Sequence, residues 1–261
     1  MQLAVDILGI GLIGPGLADW TSGAALLHAP AAWQSQATRV PPPTRLAATE
    51  QRRAGAVVKL ALVVAEQACA AAGADPATLA TVFASSTGEP ANCHALCEAL
   101  AAPERMVSPT RFTNSVHNAP AGYWHIAAAS RAASTSLAAF DASFAAGLLE
   151  AAVQCVATQA AVLLVAADVP YPEPLHSVRP VADVFAVALL LAPPGVRRRL
   201  RVDAIGDRIP TVCEGAFESL RGTIPAARAL PLLQALARGA SATVVLEGLE
   251  GMALSVEVGA A

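Results

Sequence analysis

The stretch ASTSLAAFDASFAAGLLEAA, residues 133–152, decides the reading of this chain. Ser134–Ala138 reads as a short strand. From Ser143 the composition shifts to small residues and leucines (Ala145, Ala146, Gly147, Leu148, Leu149, Ala151, Ala152), which predicts a helix as far as Thr158. Only a few residues separate the two, Phe140 and Asp141 among them, so the backbone must turn sharply there. A carboxylate ahead of a helix N-terminus is favoured by the helix dipole by about 0.3–1 kcal/mol. Asp141 is therefore expected to cap the helix. Strand, tight turn and helix in quick succession are the unit of a layered α/β fold.

The same alternation continues on both sides. Val5–Leu12 reads as a buried strand followed by the turn Gly14-Pro15-Gly16, and residues 17–28 as a helix. Ala29–Pro43 reads as a loop that ends in three prolines. In Thr49–Gly73, Val57, Leu60, Ala61, Val64, Ala65 and Ala68 keep helical spacing, which predicts one long helix ending at Gly73. Further strands are expected at Thr81–Ser85, Ala160–Ala167 and Val184–Leu191, and helices at Ala91–Ala101 and Ala119–Ser130. Phe112–Ser115 reads as loop. Beyond Pro194 a strand (Leu200–Ile205), a helix (Ala226–Ala237) and a hairpin are expected. The hairpin joins Thr243–Glu247 to Met252–Val258 through Gly248-Leu249-Glu250-Gly251. Residues 1–195 thus form the main unit, and residues 196–261 are read as a short strand, helix and hairpin completing the same domain.

Composition narrows the classes. Apolar residues make up 55% of the 261 and charged residues 14%, against a usual charged share of about 25%. Either another subunit covers part of the surface, or the chain carries a compositional bias toward alanine. The net charge is −3, and Lys59 is the one lysine. The only basic run, Arg197, Arg198, Arg199 and Arg201, is too short for a nucleic-acid face. It reads as a solvated turn or a contact for an acidic carrier protein. Five cysteines scattered through apolar stretches fit reduced core thiols in a cytoplasm. The opening MQLAVDILGIG has no basic segment and carries Asp6, so no signal peptide is expected. The apolar runs 160–167 and 184–192 are too short to span a membrane.

Several segments, in order, resemble the N-terminal half of a β-ketoacyl synthase of the layered thiolase-like fold, which implies a truncated C-terminal part. VDILGIGLIGPG (5–16) is similar to the family's opening strand and turn, and the helix from Arg52-Arg53 to Ala72 to its first long helix. VFASSTG (82–88) resembles its strand and glycine turn. VSPTRFTNSVHNAPAGY (107–123) resembles its S-P-x-x-F…N-x-x-x-G segment, and Arg179-Pro180 its R-P-F segment. The 133–152 stretch then stands where the family's nucleophile turn stands, with Ser143 matching the serine two places after the nucleophilic cysteine. That resemblance puts the nucleophile position on Asp141, or on Phe140 if the turn differs by one residue, and neither forms a thioester.

The departures extend further. The resemblance calls for two histidines in the C-terminal half, but all five (28, 94, 117, 125, 176) lie in the first 176 residues. The narrower resemblance is to chain length factors of type II aryl-polyene pathways. It implies a non-catalytic subunit that pairs with a full-length β-ketoacyl synthase, meets acyl carrier protein through that complex, and shapes an acyl channel in polyketide or fatty-acid-like biosynthesis. No cofactor is implied. Phe112, Asn118, Gly122, Tyr123 and Ser136 fall on the segments that correspond to the family's dimer interface. Pro90, Cys93 and Cys97, on the helix after Thr87-Gly88, fall where related subunits gate the channel.

Rival chemistries stay open at this stage. A divergent acyltransferase or decarboxylase could use Asp141 or His117, and a homodimeric acyl-binding scaffold would need no chemistry. Cys93, His94 and Cys97 hint at a metal, but a structural zinc needs four ligands and no second pair exists. Core or channel lining is the expectation for these cysteines. His117 and His125 read as structural. Gly9, Gly11 and Gly14 match a dinucleotide fingerprint in form, but no acidic residue follows at the required distance. They are expected to be an opening α/β turn.

Overall fold

The computed structural model describes residues 2–195 and 198–260. Its first part runs β1 (Gln2–Ile13), α1 (Trp20–His28), α2 (Ala48–Arg53), α3 (Ala56–Ala72), β2 (Ala80–Ala84), α4 (Pro90–Ala101), α5 (Pro109–Thr113), α6 (Ala119–Ala128) and β3 (Ser134–Leu137). There follow α7 (Ser143–Thr158), β4 (Val162–Asp168), α8 (Leu175–Val178), β5 (Phe185–Ala192), β6 (Arg198–Gly206), α9 (Phe217–Thr223), α10 (Leu230–Arg238), β7 (Ala242–Glu247) and β8 (Met252–Val258). One eight-stranded sheet carries the order β3-β2-β4-β5-β1-β6-β8-β7. β2 is parallel to β3 and β4, and the remaining pairs are antiparallel.

Side chains alternate across each central strand, which is why the strand sequences are apolar throughout. In β4, Val162, Leu164 and Ala166 enter one core; Leu163, Val165 and Ala167 enter the other. β5 does the same with Phe185, Val187 and Leu189 on one face and Ala186, Ala188 and Leu190 on the other. The first core is closed by α7 and by 225–236, the second by α3 and α6. By length and composition, Phe140–Thr158 could cross a membrane. In the fold, α7 buries Phe144, Leu148, Ala151, Ala152 and Cys155 against the sheet.

The glycines of the dinucleotide-like motif serve packing. A Cβ on Gly9 would stand 2.2 Å from the Ala68 carbonyl oxygen, and one on Gly11 2.0 Å from that of Val64. α3 therefore lies directly on the β1 backbone, and Gln67 seals the contact by accepting the Leu12 N–H at 2.8 Å.

Three expectations change. The long helix breaks at Ala54-Gly55 into α2 and α3. There the Glu89 carboxylate accepts the Val57 N–H at 3.1 Å and caps α3 from a distant part of the chain. A Cβ on Gly55 would stand 1.9 Å from that carboxylate, so a larger residue there would push the Glu89 cap aside. Part of the expected loop at 112–115 is the end of α5, which Ser108 caps and Pro109 starts. The helix expected from Ala226 begins as a 3₁₀ turn over Pro225–Ala229 and becomes α-helical at Leu230, with Pro231 in its first turn.

The basic run is only partly a turn. Arg197 lies outside the described residues. Arg199 and Arg201 are on β6, where they pair with Asp6 at 3.5 Å and Glu257 at 3.4 Å. The sheet's two edges differ. β3 has only β2 beside it. β7 is covered by the loop ahead of α9: Thr211 donates its N–H to the Val245 carbonyl at 2.9 Å, and its Oγ1 accepts the Val245 N–H at 2.8 Å.

Candidate functional site

The turn between β3 and α7 sits where β2 and β4 also end. Its positive φ of 51° falls on Phe140, not on Asp141. A left-handed backbone at a bulky residue costs roughly 1–2 kcal/mol, so the surroundings must hold it. They do so through Arg179, whose guanidinium lies 3.7 Å from the Phe140 ring centroid. The same guanidinium donates to Asp141 Oδ1 at 2.6 Å and to Ser86 Oγ at 2.8 Å. Arg228 donates to Asp141 Oδ2 at 3.0 Å and also pairs with Glu247 at the end of β7. Arg221 reaches Glu247 at 3.8 Å and binds Glu218.

Both Asp141 oxygens are thus taken by guanidinium groups. The expected cap is not formed: the residue ahead of α7 is Ala142, with no side-chain cap bond. Ser143 stabilises the turn instead, accepting the Ala139 N–H at 3.0 Å and donating to the Phe140 carbonyl at 2.7 Å. Two arginines from distant segments outcompete one helix dipole, because charge-assisted hydrogen bonds are the stronger interaction.

A second acid, Asp168, was missed by the sequence reading. It ends the apolar run of β4 and is 1% exposed. Its Oδ1 accepts from Ser85 Oγ, Ser86 N–H, Thr87 N–H and Thr87 Oγ1 at 2.7–3.2 Å. Its buried Oδ2 has no hydrogen-bond partner. The carboxylate fixes the turn after β2, and Ser86 passes that order on to Arg179. The available signal was an acid closing an otherwise apolar strand.

Burial pushes the Asp168 pKa up, against the pull of its four hydrogen bonds. The folded state therefore keeps a proton that the unfolded chain has released, and stability falls as pH rises from the ordinary carboxylate range through the raised value. Asp168→Asn keeps an acceptor and cannot ionise. It should flatten the part of that fall due to Asp168, while the similarly raised Glu89 still contributes. Asp168→Ala strands the turn's donors and should cost about 3 kcal/mol. Urea unfolding at about pH 5 and about pH 8 checks both; an Asn variant with the wild-type pH slope would refute the assignment.

The other expected residues fall into two groups. His117 Nε2 lies 3.1 Å from the Ser85 carbonyl and so is tied to the turn after β2. On α4, Pro90 is buried while Cys93 and Cys97 are exposed, which corrects the expectation of core cysteines for that pair. Cys69, Cys155 and Cys213 are buried. Asn118, Gly122 and Tyr123 come together with Val116 and Ile126 around an open cleft of about 360 Å³. Phe112 is 67% exposed on neighbouring α5, and Ser136 is half-buried on β3. Leu100, Met106, Val116 and Ile126 are exposed on the same group of elements.

Residues 25–245 match the family described as beta-ketoacyl synthase, N-terminal domain. No curated protein matches the chain. Among solved structures, the chain is similar to one in the complex of the ketosynthase ApeO with its chain length factor ApeC from Xenorhabdus doucetiae. Identity is 26% and the TM-score 0.76, covering 98% of this chain and 99% of that one. The ishigamide ketosynthase/chain length factor shares the fold at 15% identity and a TM-score of 0.71, over 98% and 99%. A beta-ketoacyl synthase from Burkholderia phymatum STM815 does so at 12% and 0.69, over the full length of both chains.

Proposed function

The chain belongs to the β-ketoacyl synthase N-terminal domain family, and from that premise we propose that it is a non-catalytic, chain-length-factor-like partner of a complete β-ketoacyl synthase. The observation that carries the reading is the turn before α7. A condensing enzyme needs a thiolate there, because only a thiolate exchanges readily with an acyl thioester. This turn presents Phe140 and an Asp141 carboxylate neutralised by Arg179 and Arg228. A carboxylate bound on both oxygens is a poor base or nucleophile, which argues against the acyltransferase or decarboxylase alternative. The His117 contact with Ser85 supports a positioning role for that residue.

The similarity to a chain of the ApeO–ApeC complex supports a heterodimer. Within it, the β3 edge and the α5–α6 cleft would face the synthase, and acyl carrier protein would be met through the pair. Incubated alone with an acyl-loaded carrier protein, the chain should gain no acyl mass in intact-protein spectrometry. A stoichiometric adduct lost on changing Asp141 would overturn the proposal. Co-purification separates it from the homodimeric scaffold alternative, which would ignore a cognate synthase.

Cys93 and Cys97 are offered as gate residues on α4, with Pro90 beneath them in the subunit. Cys93→Phe and Cys97→Trp should shorten the products of the reconstituted complex at unchanged heterodimer yield. Unchanged products from both variants would remove α4 from the gate.

A further inference from the structure

We propose that Phe140 is an anchor by which this chain grips its synthase partner, projecting from the turn before α7 as the centre of an apolar patch with Leu175 and Val178. The inference rests on the heterodimer proposed above. The Phe140 ring is 63% exposed, and Leu175 and Val178 on α8 are 51% and 83% exposed. Phe140 also carries the left-handed backbone of the turn, which glycine adopts with less strain. What the turn takes from this position is backbone alone: Ser143 Oγ accepts the Ala139 N–H and donates to the Phe140 carbonyl. Neither the core nor the turn accounts for a phenylalanine. A strained backbone that carries an exposed ring points to a role outside the chain.

The ring is held ready. The Arg179 guanidinium covers one side of it, 3.7 Å from the centroid. Arg179 is itself fixed by Asp141, by Ser86 and by the Tyr171 hydroxyl, the last at 3.4 Å. A ring fixed before binding loses little freedom on docking, and aromatic and arginine side chains dominate the energetics of interfaces. Position selects the occupant. Phe140 stands three residues beyond Leu137, the end of the edge strand β3. On its other side the contacts run from Arg179 to Ser86, whose neighbour Ser85 meets His117 through its carbonyl. Next to His117 is Val116, which lines the α5–α6 cleft. The patch is thus continuous with the edge and the cleft that the synthase would cover. An acidic carrier protein gains little here, because Arg179 and Arg228 are already paired with Asp141 and Glu247.

The test is surface plasmon resonance of the full chain on its immobilised complete synthase, with thermal unfolding of the lone chain beside it. Phe140→Gly should weaken binding at least tenfold, while the lone variant unfolds at the wild-type temperature or above it, since glycine relieves the turn. Val178→Asp changes an exposed position and should also weaken binding at least tenfold. Phe140→Tyr should bind as the wild type does. If the wild type binds and both Phe140→Gly and Val178→Asp bind within twofold of it, the anchor is overturned and the heterodimer stands. If Phe140→Gly lowers the unfolding temperature and Val178→Asp binds normally, the ring serves the fold and the anchor is again overturned. Loss of self-association with synthase binding intact would assign the patch to a second copy of this chain, against the proposal. A wild type that does not bind its synthase defeats the heterodimer reading, and this inference with it.

Discussion

Gly122→Glu is expected to abolish association with a complete β-ketoacyl synthase while leaving the chain itself folded. Gly122 lies on α6 and lines the cleft with Asn118, Tyr123 and Ile126. A Cβ there meets nothing within 4 Å, so the isolated chain has room for a side chain. Glycine is also a poor helix former, and its replacement favours α6 by up to about 1 kcal/mol. In the proposed heterodimer the same space is filled by the synthase. A glutamate would then be buried without a partner charge, at a cost of about 3–5 kcal/mol, which is a loss of affinity of at least about 100-fold. Size-exclusion chromatography of co-expressed proteins reads the complex, and thermal unfolding of the lone variant reads the fold. A variant that still elutes with its synthase would take α6 out of the interface.

The second large effect is internal. Gly11→Ala should destabilise the chain by about 3 kcal/mol or more, at the upper end of what overpacking costs. The new methyl would lie 2.0 Å from the Val64 carbonyl oxygen and 2.8 Å from its carbon. Those are backbone atoms in the middle of α3, and they cannot move without lifting the helix from the sheet. Gly206→Ala is the control, because a Cβ there meets nothing within 4 Å. Urea unfolding compares the two. Equal stability for both variants would show that α3 can slide over β1, contrary to the packing described.

How much of this was legible in the sequence depends on the range of the forces involved. Local patterns gave the central strands and α7 almost to the residue, because burial of both sheet faces writes continuous apolar runs and a helix writes its own period. The break at Gly55 was not legible, since the carboxylate that caps α3 comes from Glu89, 32 positions along the chain from the N–H it binds. Asp141 was placed correctly at the turn but given the wrong partner. A helix dipole is local and visible in sequence; Arg179 and Arg228, 38 and 87 positions away, are not. Asp168 was missed although its local signal, an acid closing an apolar strand, was there; the donors that give it its role lie 81 to 83 positions away. Because α4 has few elements to pack against, Cys93 and Cys97 are exposed, which removes the core alternative and leaves channel lining.

The unequal edges of the sheet bear on how assembly ends. A sheet with two open edges is a monomer for polymerisation: each unit added offers the next one a fresh edge. Here Thr211 occupies backbone hydrogen-bonding groups of Val245 at the β7 side, while β3 has a neighbour on one side only. A molecule with one adhesive end and one blunted end can add a single partner, after which neither end of the joined sheet is sticky if the partner is built alike. The blunted edge favours a closed pair over a filament, and Thr211→Pro, which removes the N–H that blunts it, would be the substitution most apt to turn a pairing protein into an aggregating one.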